Sequence, residues 1–196
     1  NAEYLEETPL GKAEWIKLLG ALYAKEYLAD SIFTDIEHEY KATETFISEN
    51  AREHPKVLLG LPFRDTWYVS PGNSYISELI DDAGGKYLWD DIKSDVSIPM
   101  GLENVYIKAL TADYWINTGT AESLGQISSV DVRFESLPCY TKGNVYNNTG
   151  LTNKHGGNDY WENGTILPHI ILNDIASILH PELFPDRELH FYRKLN

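Results

Sequence analysis

Cysteine is nearly absent from this sequence: Cys139 stands alone among 196 residues. No intrachain disulfide can form, no C-x-x-C redox or zinc motif is available, and nothing marks the redox compartment. A single cysteine among apolar and aromatic neighbours reads as a small core residue, not a nucleophile. Basic residues are also scarce, 16 against 30 acidic ones, for a formal net charge of −14. Such a field repels nucleic acid and anionic lipid and helps steer a basic partner surface inward. No apolar run approaches the roughly 18 residues of a membrane span, and no signal peptide is visible. The chain opens on Asn1, not Met, and is expected to be a mature product or a fragment of something longer.

Catalytic motifs are missing too. There is no G-x-S-x-G, no H-E-x-x-H and no Walker loop. Asp82-Ala83-Gly84-Gly85-Lys86 has a Gly-Lys pair, but its spacing and the lack of a following Ser or Thr exclude a phosphate loop. The six histidines (His38, His54, His155, His169, His180 and His190) are scattered, without metal-ligand spacing. His155 and Asp159 share a loop with two readings, a metal candidate and a solvated loop, of which the solvated loop is the default. The acid pairs Asp81-Asp82 and Asp90-Asp91 point apart on a helix and read as solvated faces. Asn147-Asn148-Thr149 and Asn163-Gly164-Thr165 match the glycosylation pattern, which occurs often by chance. The residues call for no catalytic group, no metal site and no cofactor.

What is present is apolar and aromatic. At 42% hydrophobic and 12% aromatic the chain can bury a core, and its length suits one domain, or one domain plus a piece of another. Thr8-Pro9 opens a first helix reaching about residue 24, with Trp15, Leu18, Leu19, Leu22 and Tyr23 on one face. A second helix is expected over 28–50, its stripe being Leu28, Ile32, Ile36, Tyr40, Thr43 and Ile47. At about 23 residues it would span roughly 34 Å, the length of a strut. From Lys56 onward strands and helices alternate: a strand at 57–61, a helix over 101–110, a strand at 112–117, a short helix over 121–129, short strands at 137–140 and 144–147, and a last helix over 166–179. Residues 90–100 read as a polar connector and 148–164 as a long Asn- and Gly-rich loop, a length usually functional in a compact domain. The alternation implies an α/β fold, a three-layer αβα sandwich with a largely parallel sheet.

The stretch Thr66–Trp89 reads as strand, turn, helix, turn and strand. Pro71-Gly72-Asn73 turns the chain, Ser74 is a capping residue, and Gly84-Gly85 stops the helix. Its aromatics have two readings: a binding loop, or a strand–helix unit whose aromatics are core. Ligands of parallel sheets sit at the carboxyl ends of strands, which selects Trp67–Ser74, Asn117–Thr120 and the loop before Ile166. Trp67, Tyr68, Tyr75, Tyr160 and Trp161 would then wall a site for a large or ring-bearing ligand. Arg64 is either an anion contact or a surface arginine. Glu103, in a first helical turn, suits the helix dipole or projects as a docking charge.

In order along the chain, several segments resemble the metal-chelate class of substrate-binding proteins of ABC transporters, those for iron–siderophores, haem and vitamin B12. Asn73-Ser74-Tyr75 through Leu79-Ile80 and Ala83-Gly84-Gly85 resembles the family's helix-then-AGG segment. Leu102-Glu103-Asn104-Val105 followed by Ala112-Asp113-Tyr114-Trp115-Ile116 resembles its E-x-V … P-D-v-I unit, with Ala112 where proline is usual. Asp159-Tyr160-Trp161-Glu162, Pro168, Ile170-Ile171-Leu172 and His180-Pro181-Glu182 resemble the closing loop, helix and tail. The match spans roughly residues 8–184.

The resemblance implies two lobes joined by one long helix, of which this chain holds the C-terminal lobe. Residues 1–25 would be the end of an N-terminal lobe, 26–55 the interlobe helix and 56–196 the ligand-binding lobe. It implies a binding protein, not an enzyme, working with an inner-membrane permease, periplasmic and lipid-anchored in the full-length form. Glu103 resembles the glutamate that pairs with permease arginines, and Trp161 an aromatic that packs on the ligand. Arg64, Trp67, Tyr68, Tyr75, Asn117 and Thr120 complete the expected ligand-binding set. Without an N-terminal lobe, Trp15 and Leu19 would be exposed and a dimer is expected through that face. An enzyme, a sensor or an interaction domain on the same scaffold is the alternative.

Overall fold

The structure, a computed structural model, describes residues 6–196. Thr8 accepts the Gly11 N–H at 3.2 Å and Pro9 takes the first helical position, so α1 runs Pro9–Glu14. The helix expected to reach residue 24 is broken. Trp15 tightens the last turn by bonding to the Lys12 carbonyl, and its indole N–H donates to Glu6 at 3.1 Å; α2 (Ile16–Leu22) then restarts. Ala24, at φ 51°, ends the pair before α3.

Helix α3 runs Glu26–Asn50, 25 residues, or roughly 37 Å. Ile36, Tyr40 and Ile47 face inward as the pattern predicts, but Leu28 and Ile32 lie on the surface and Ala29 and Phe33 replace them. The cause is α2 folding back onto α3. A side chain at Gly20 would sit 2.5 Å from the Ala29 Cβ, so the two backbones cross at glycine–alanine contact distance. That contact selects the Ala29–Phe33 edge and leaves Leu28 and Ile32 on the surface beside Leu19 and Tyr23. Trp15 is only partly exposed.

The central sheet is parallel, with β1 (Lys56–Leu59) between β3 (Lys86–Tyr87) and β5 (Tyr114–Ile116). Leu58 pairs with Trp115 and Val57 with both Tyr87 and Tyr114; a parallel bridge from Trp115 to Val145 extends the β5 edge. Because β3 and β5 flank β1 on opposite sides, right-handed crossovers put their connecting helices α4 (Tyr75–Asp82) and α5 (Leu102–Ala109) on opposite faces. Gly84, at φ 73°, gives α4 the left-handed stop that the Gly-Gly pair predicts. Ser74 is the N-cap residue of α4 by position, but its side chain makes no capping bond.

Two segments differ from expectation. Residues 98–101, read as part of a connector, form β4 (Ile98–Gly101), which pairs antiparallel with β2 (Thr66–Val69) outside the main sheet. The alternation explains it: Trp67 and Val69 are buried and Tyr68 is exposed, the pattern of a half-solvated antiparallel pair. Residues 137–140 are not a strand. After α6 (Leu124–Val130) and a 3₁₀ turn at Val132–Ser136, Pro138 starts the one-turn helix α7 (Pro138–Thr141), where its missing N–H is harmless. Cys139 is fully buried there and its thiol is pushed up to about 12 by burial, as befits a core residue.

Strand β6 (Tyr146–Asn147) pairs antiparallel with β7 (Arg193–Lys194) near the chain end, and α8 (Asp159–Glu162) interrupts the long loop. Helix α9 (Pro168–Leu179) packs between α3 and α4, with 11 of its 12 residues buried. Among the described residues no helix is long and apolar enough to cross a membrane.

Where α3 meets α4, the Tyr40 hydroxyl donates to Asp82 in a short hydrogen bond. Burial lifts the Asp82 carboxyl to about 6, opposed by the Tyr40 bond and reinforced by Glu44, Glu78 and Asp81. A carboxyl raised in the folded state contributes stability below its ordinary value, and that contribution is lost as pH rises through about 6. Thermal unfolding between pH 4 and 7 should therefore show wild type losing stability relative to Asp82→Asn as pH rises. Equal slopes for the two proteins would contradict this.

Candidate functional site

The carboxyl ends of β1 and β5 lie side by side. Leu59 and Gly60 close the first, and Asn117, at φ 56°, turns the chain after the second. Asparagine tolerates this left-handed conformation better than most residues, and such positions gather at ligand sites. The Asn117–Thr120 turn is held from below by Asn147, whose amide donates to the carbonyls of Gly119 and Ala121, both at 2.9 Å. Asn147 is wholly buried, which removes it as a glycan acceptor.

Three further segments complete a cleft of about 540 Å³ over these strand ends. The β2–α4 connection contributes Tyr68, Ser70, Ser74 and Tyr75, and the long loop contributes Asn148, Tyr160 and Trp161. Helix α1 contributes Lys12, whose ammonium stands 4.9 Å from the centre of the Tyr75 ring. Tyr160 and Trp161 meet edge to face at 4.8 Å on α8. That turn is capped by Asn158, which accepts the Tyr160 N–H at 3.1 Å and ties back to the Asn148 carbonyl at 2.9 Å. Trp161 is exposed, while Tyr160 is buried with only one edge toward the cleft.

Tyr160 is braced from the C-terminal tail. The Asp174 carboxylate on α9 accepts the backbone N–H groups of His190, Phe191 and Tyr192, the middle one at 2.6 Å. The tail so fixed sets Phe191 and Tyr192 edge-on to the Tyr160 ring at 6.0 and 5.8 Å. Burial raises the Tyr160 phenol, against the opposing pull of the Tyr192 and Asn117 side chains beside it, so it stays a neutral phenol. The Asn117 Oδ1 and the Ser74 Oγ are buried and without a protein hydrogen-bond partner. Both belong to residues that line the cleft.

Of the expected ligand-binding set, Tyr68, Tyr75, Asn117, Thr120 and Trp161 come together here. Trp67 and Arg64 do not. Trp67 is 1% exposed, stacked on Trp115 at 6.0 Å, and its indole N–H donates to the Leu59 carbonyl at 2.9 Å. Trp115 donates likewise to the Gly60 carbonyl at 2.7 Å. The two indoles hold the end of β1 from beneath, so Trp67 shapes the cleft floor without touching its contents. Arg64 sits exposed, at φ 56°, in the turn before β2, its guanidinium over the Phe63 ring at 5.3 Å. Lys12 is the cation that lines the cleft instead. The sequence pattern placed it on the helix of another lobe, so only the packing of α1 against α4 reveals it.

Glu103 lies outside the cleft in the first turn of α5, its side chain 74% exposed and 3.6 Å from Arg133. Arg133 is itself clamped by Asp131 through three side-chain bonds. A larger concavity, about 800 Å³, opens at the amino ends of β1 and β5 between Arg52, Glu53, His54, Asp113, Lys142 and Glu182. It offers mixed charges, and it lies at the wrong end of a parallel sheet for ligand binding. Among the described residues no cluster of three or more His, Cys, Asp or Glu is placed to hold a metal.

This architecture is that of periplasmic solute-binding proteins. The chain superimposes on such a protein from Veillonella parvula with a TM-score of 0.72 at 16% identity, over 94% of this chain and 54% of that one. A periplasmic heme binding protein from Pseudomonas aeruginosa gives 0.66 at 12% identity, over 95% and 65%. The chain belongs to the periplasmic binding protein family, whose profile matches residues 5–147, a family of binding proteins, not enzymes. It is 29% identical along its whole length to an uncharacterized lipoprotein of Methanocaldococcus jannaschii, MJ0878. The chain spans about half the length of the curated relatives it matches, 45% in that case.

Asp174→Ala would leave three backbone N–H groups without their acceptor. A loss of about 3 kcal/mol in urea unfolding is expected, with Asp174→Asn, which keeps one acceptor oxygen, costing clearly less. Equal effects of the two would contradict the bracing role.

Proposed function

We propose that this chain is the ligand-capture part of an ABC importer for a metal chelate such as a ferric siderophore, haem or cobalamin. The observation that carries the reading is the convergence of three strand-end segments on one cleft walled by Tyr68, Tyr75, Tyr160 and Trp161. Aromatic walls with a few polar groups suit a large ring-bearing molecule. A heme binding protein among the similar structures is consistent with cargo of this class.

In this reading residues 56–196 form the C-terminal lobe and α3 the interlobe helix, with 1–25 ending the other lobe. The exposed face of Leu19, Tyr23, Leu28 and Ile32 supports it: Leu19, Tyr23 and Leu28 are 55%, 74% and 52% exposed. A contiguous apolar surface of this kind marks a packing face, and another lobe is the occupant proposed. Separated from that lobe, the same face is the one through which the chain would pair with a second copy. Glu103 is the proposed permease contact, with Arg133 beside it as an internal competitor. The full-length protein would work outside the cytoplasmic membrane. A lipid anchor is proposed from the lipoprotein named among its relatives.

Trp161→Ala in the full-length protein should weaken chelate binding by about 1–3 kcal/mol, as for an exposed aromatic anchor. The measurement is a fluorescence titration with haem, cobalamin and ferric siderophores. Failure of the wild type to bind any of them would refute the reading. Glu103→Ala should impair uptake in cells while leaving that affinity nearly unchanged, and a large affinity loss would exclude docking as its role.

A further inference from the structure

The chain carries 30 acidic residues and a net charge of −14, yet among the described residues no Asp or Glu lines the cleft and Lys12 does. With nearly one residue in six acidic, a cleft of 14 lining residues without a carboxylate is a local reversal of the surface charge. Lys12 makes no ion pair within 4.0 Å among the described residues, whereas Lys17 on the next helix, α2, pairs with Glu14 at 3.1 Å and Asp30 at 3.6 Å. The Lys12 ammonium is instead held over the face of Tyr75. A cation–π contact orients a lysine while leaving its hydrogen-bond donors for another partner. The other polar side chains of the lining, those of Ser70, Ser74, Asn117, Thr120, Asn148 and the tyrosines, are all uncharged.

We infer that the cleft is built for an anionic, ring-bearing chelate and that Lys12 is the residue that selects its charge. This rests on the function proposed above and adds the class of cargo. The chemistry separates candidate cargoes. Three hydroxamates, each −1, neutralise Fe³⁺, whereas three catecholates, each −2, leave a complex of charge −3 that also presents aromatic rings. A cleft whose described lining holds Lys12, no carboxylate and four aromatic side chains complements the second type. It also suits haem, whose two propionates flank a flat ring. An anion approaching so acidic a protein meets an unfavourable long-range field, so a local cation in the cleft has the larger part in retaining it.

The test uses the full-length protein and two iron complexes of similar size, ferric tris(catecholate) and a neutral ferric tris(hydroxamate), titrated by tryptophan fluorescence. Wild type should prefer the anionic complex. Lys12→Met, which keeps the aliphatic stem, should lose about tenfold in affinity for it, the scale of one partly screened charge pair. The same variant should bind the neutral complex within about twofold of wild type, and Lys12→Arg should restore most of the loss. High salt should weaken the anionic complex in wild type and have little effect in Lys12→Met. Equal weakening of both complexes in Lys12→Met would make Lys12 a packing residue and overturn the inference while leaving chelate capture intact. A wild-type preference for the neutral complex would overturn it in the same way. Binding of neither complex, nor of haem or cobalamin, would overturn the inference together with the function it rests on.

Discussion

One buried carboxylate ties the cleft to the core. Asp174 sits on α9, the helix with the least exposure in the chain, and accepts three consecutive backbone N–H groups from the tail. Burial pushes its carboxyl up, and the three backbone donors, together with the nearby His190 side chain, pull it back. The consequence is mechanical. The tail, pinned at 190–192, supplies the aromatic edges behind Tyr160 and, through β7, the strand that pairs with Asn147. Asn147 in turn holds the turn after β5. Two walls of the cleft, from segments more than 40 residues apart, therefore rest on a single side chain that touches neither.

A second support is aromatic. The indoles of Trp67 and Trp115 each donate to a carbonyl at the end of β1, and Phe134 packs edge-on against both at 5.9 and 5.4 Å. A parallel strand that ends inside a domain leaves carbonyls without ladder partners, and an unpaired buried carbonyl is costly. Two tryptophans satisfy them while filling the space under the cleft. This explains a double use of aromatic residues in one short stretch: on β2, Trp67 turns inward to support the floor and Tyr68 turns outward to line it.

That pair also shows what was legible in the sequence. The period of a strand can be read from T-W-Y-V, but which parity faces the core depends on what the strand packs against. Here β2 left the main sheet to pair with β4, so the inward side is Trp67. The same limit governs α3, where the apolar stripe was visible but the Gly20–Ala29 crossing moved the buried edge by one residue. Features set by local chemistry were readable: the Thr8-Pro9 start, the Gly84 stop, the core position of Cys139, and the strand-end rule that selects Asn117–Thr120 and the loop around Trp161. Features set by long-range contact were not. Lys12 is distant in sequence from every other lining residue, and no motif surrounds it.

The charge distribution links these observations to function. Acidic residues populate the outer faces of α3 and the termini of helices, where water screens them and they cost little. Among the described residues no carboxylate lines the cleft, so none there competes with an anionic cargo for Lys12. An aromatic-walled site over strand ends is rich in electron-dense surfaces, and a cation is the group that such surfaces stabilise. Lys12 over Tyr75 is therefore held by the wall itself, and the positive charge that the proposed cargo requires is a product of the cleft's construction as well as a requirement of its ligand.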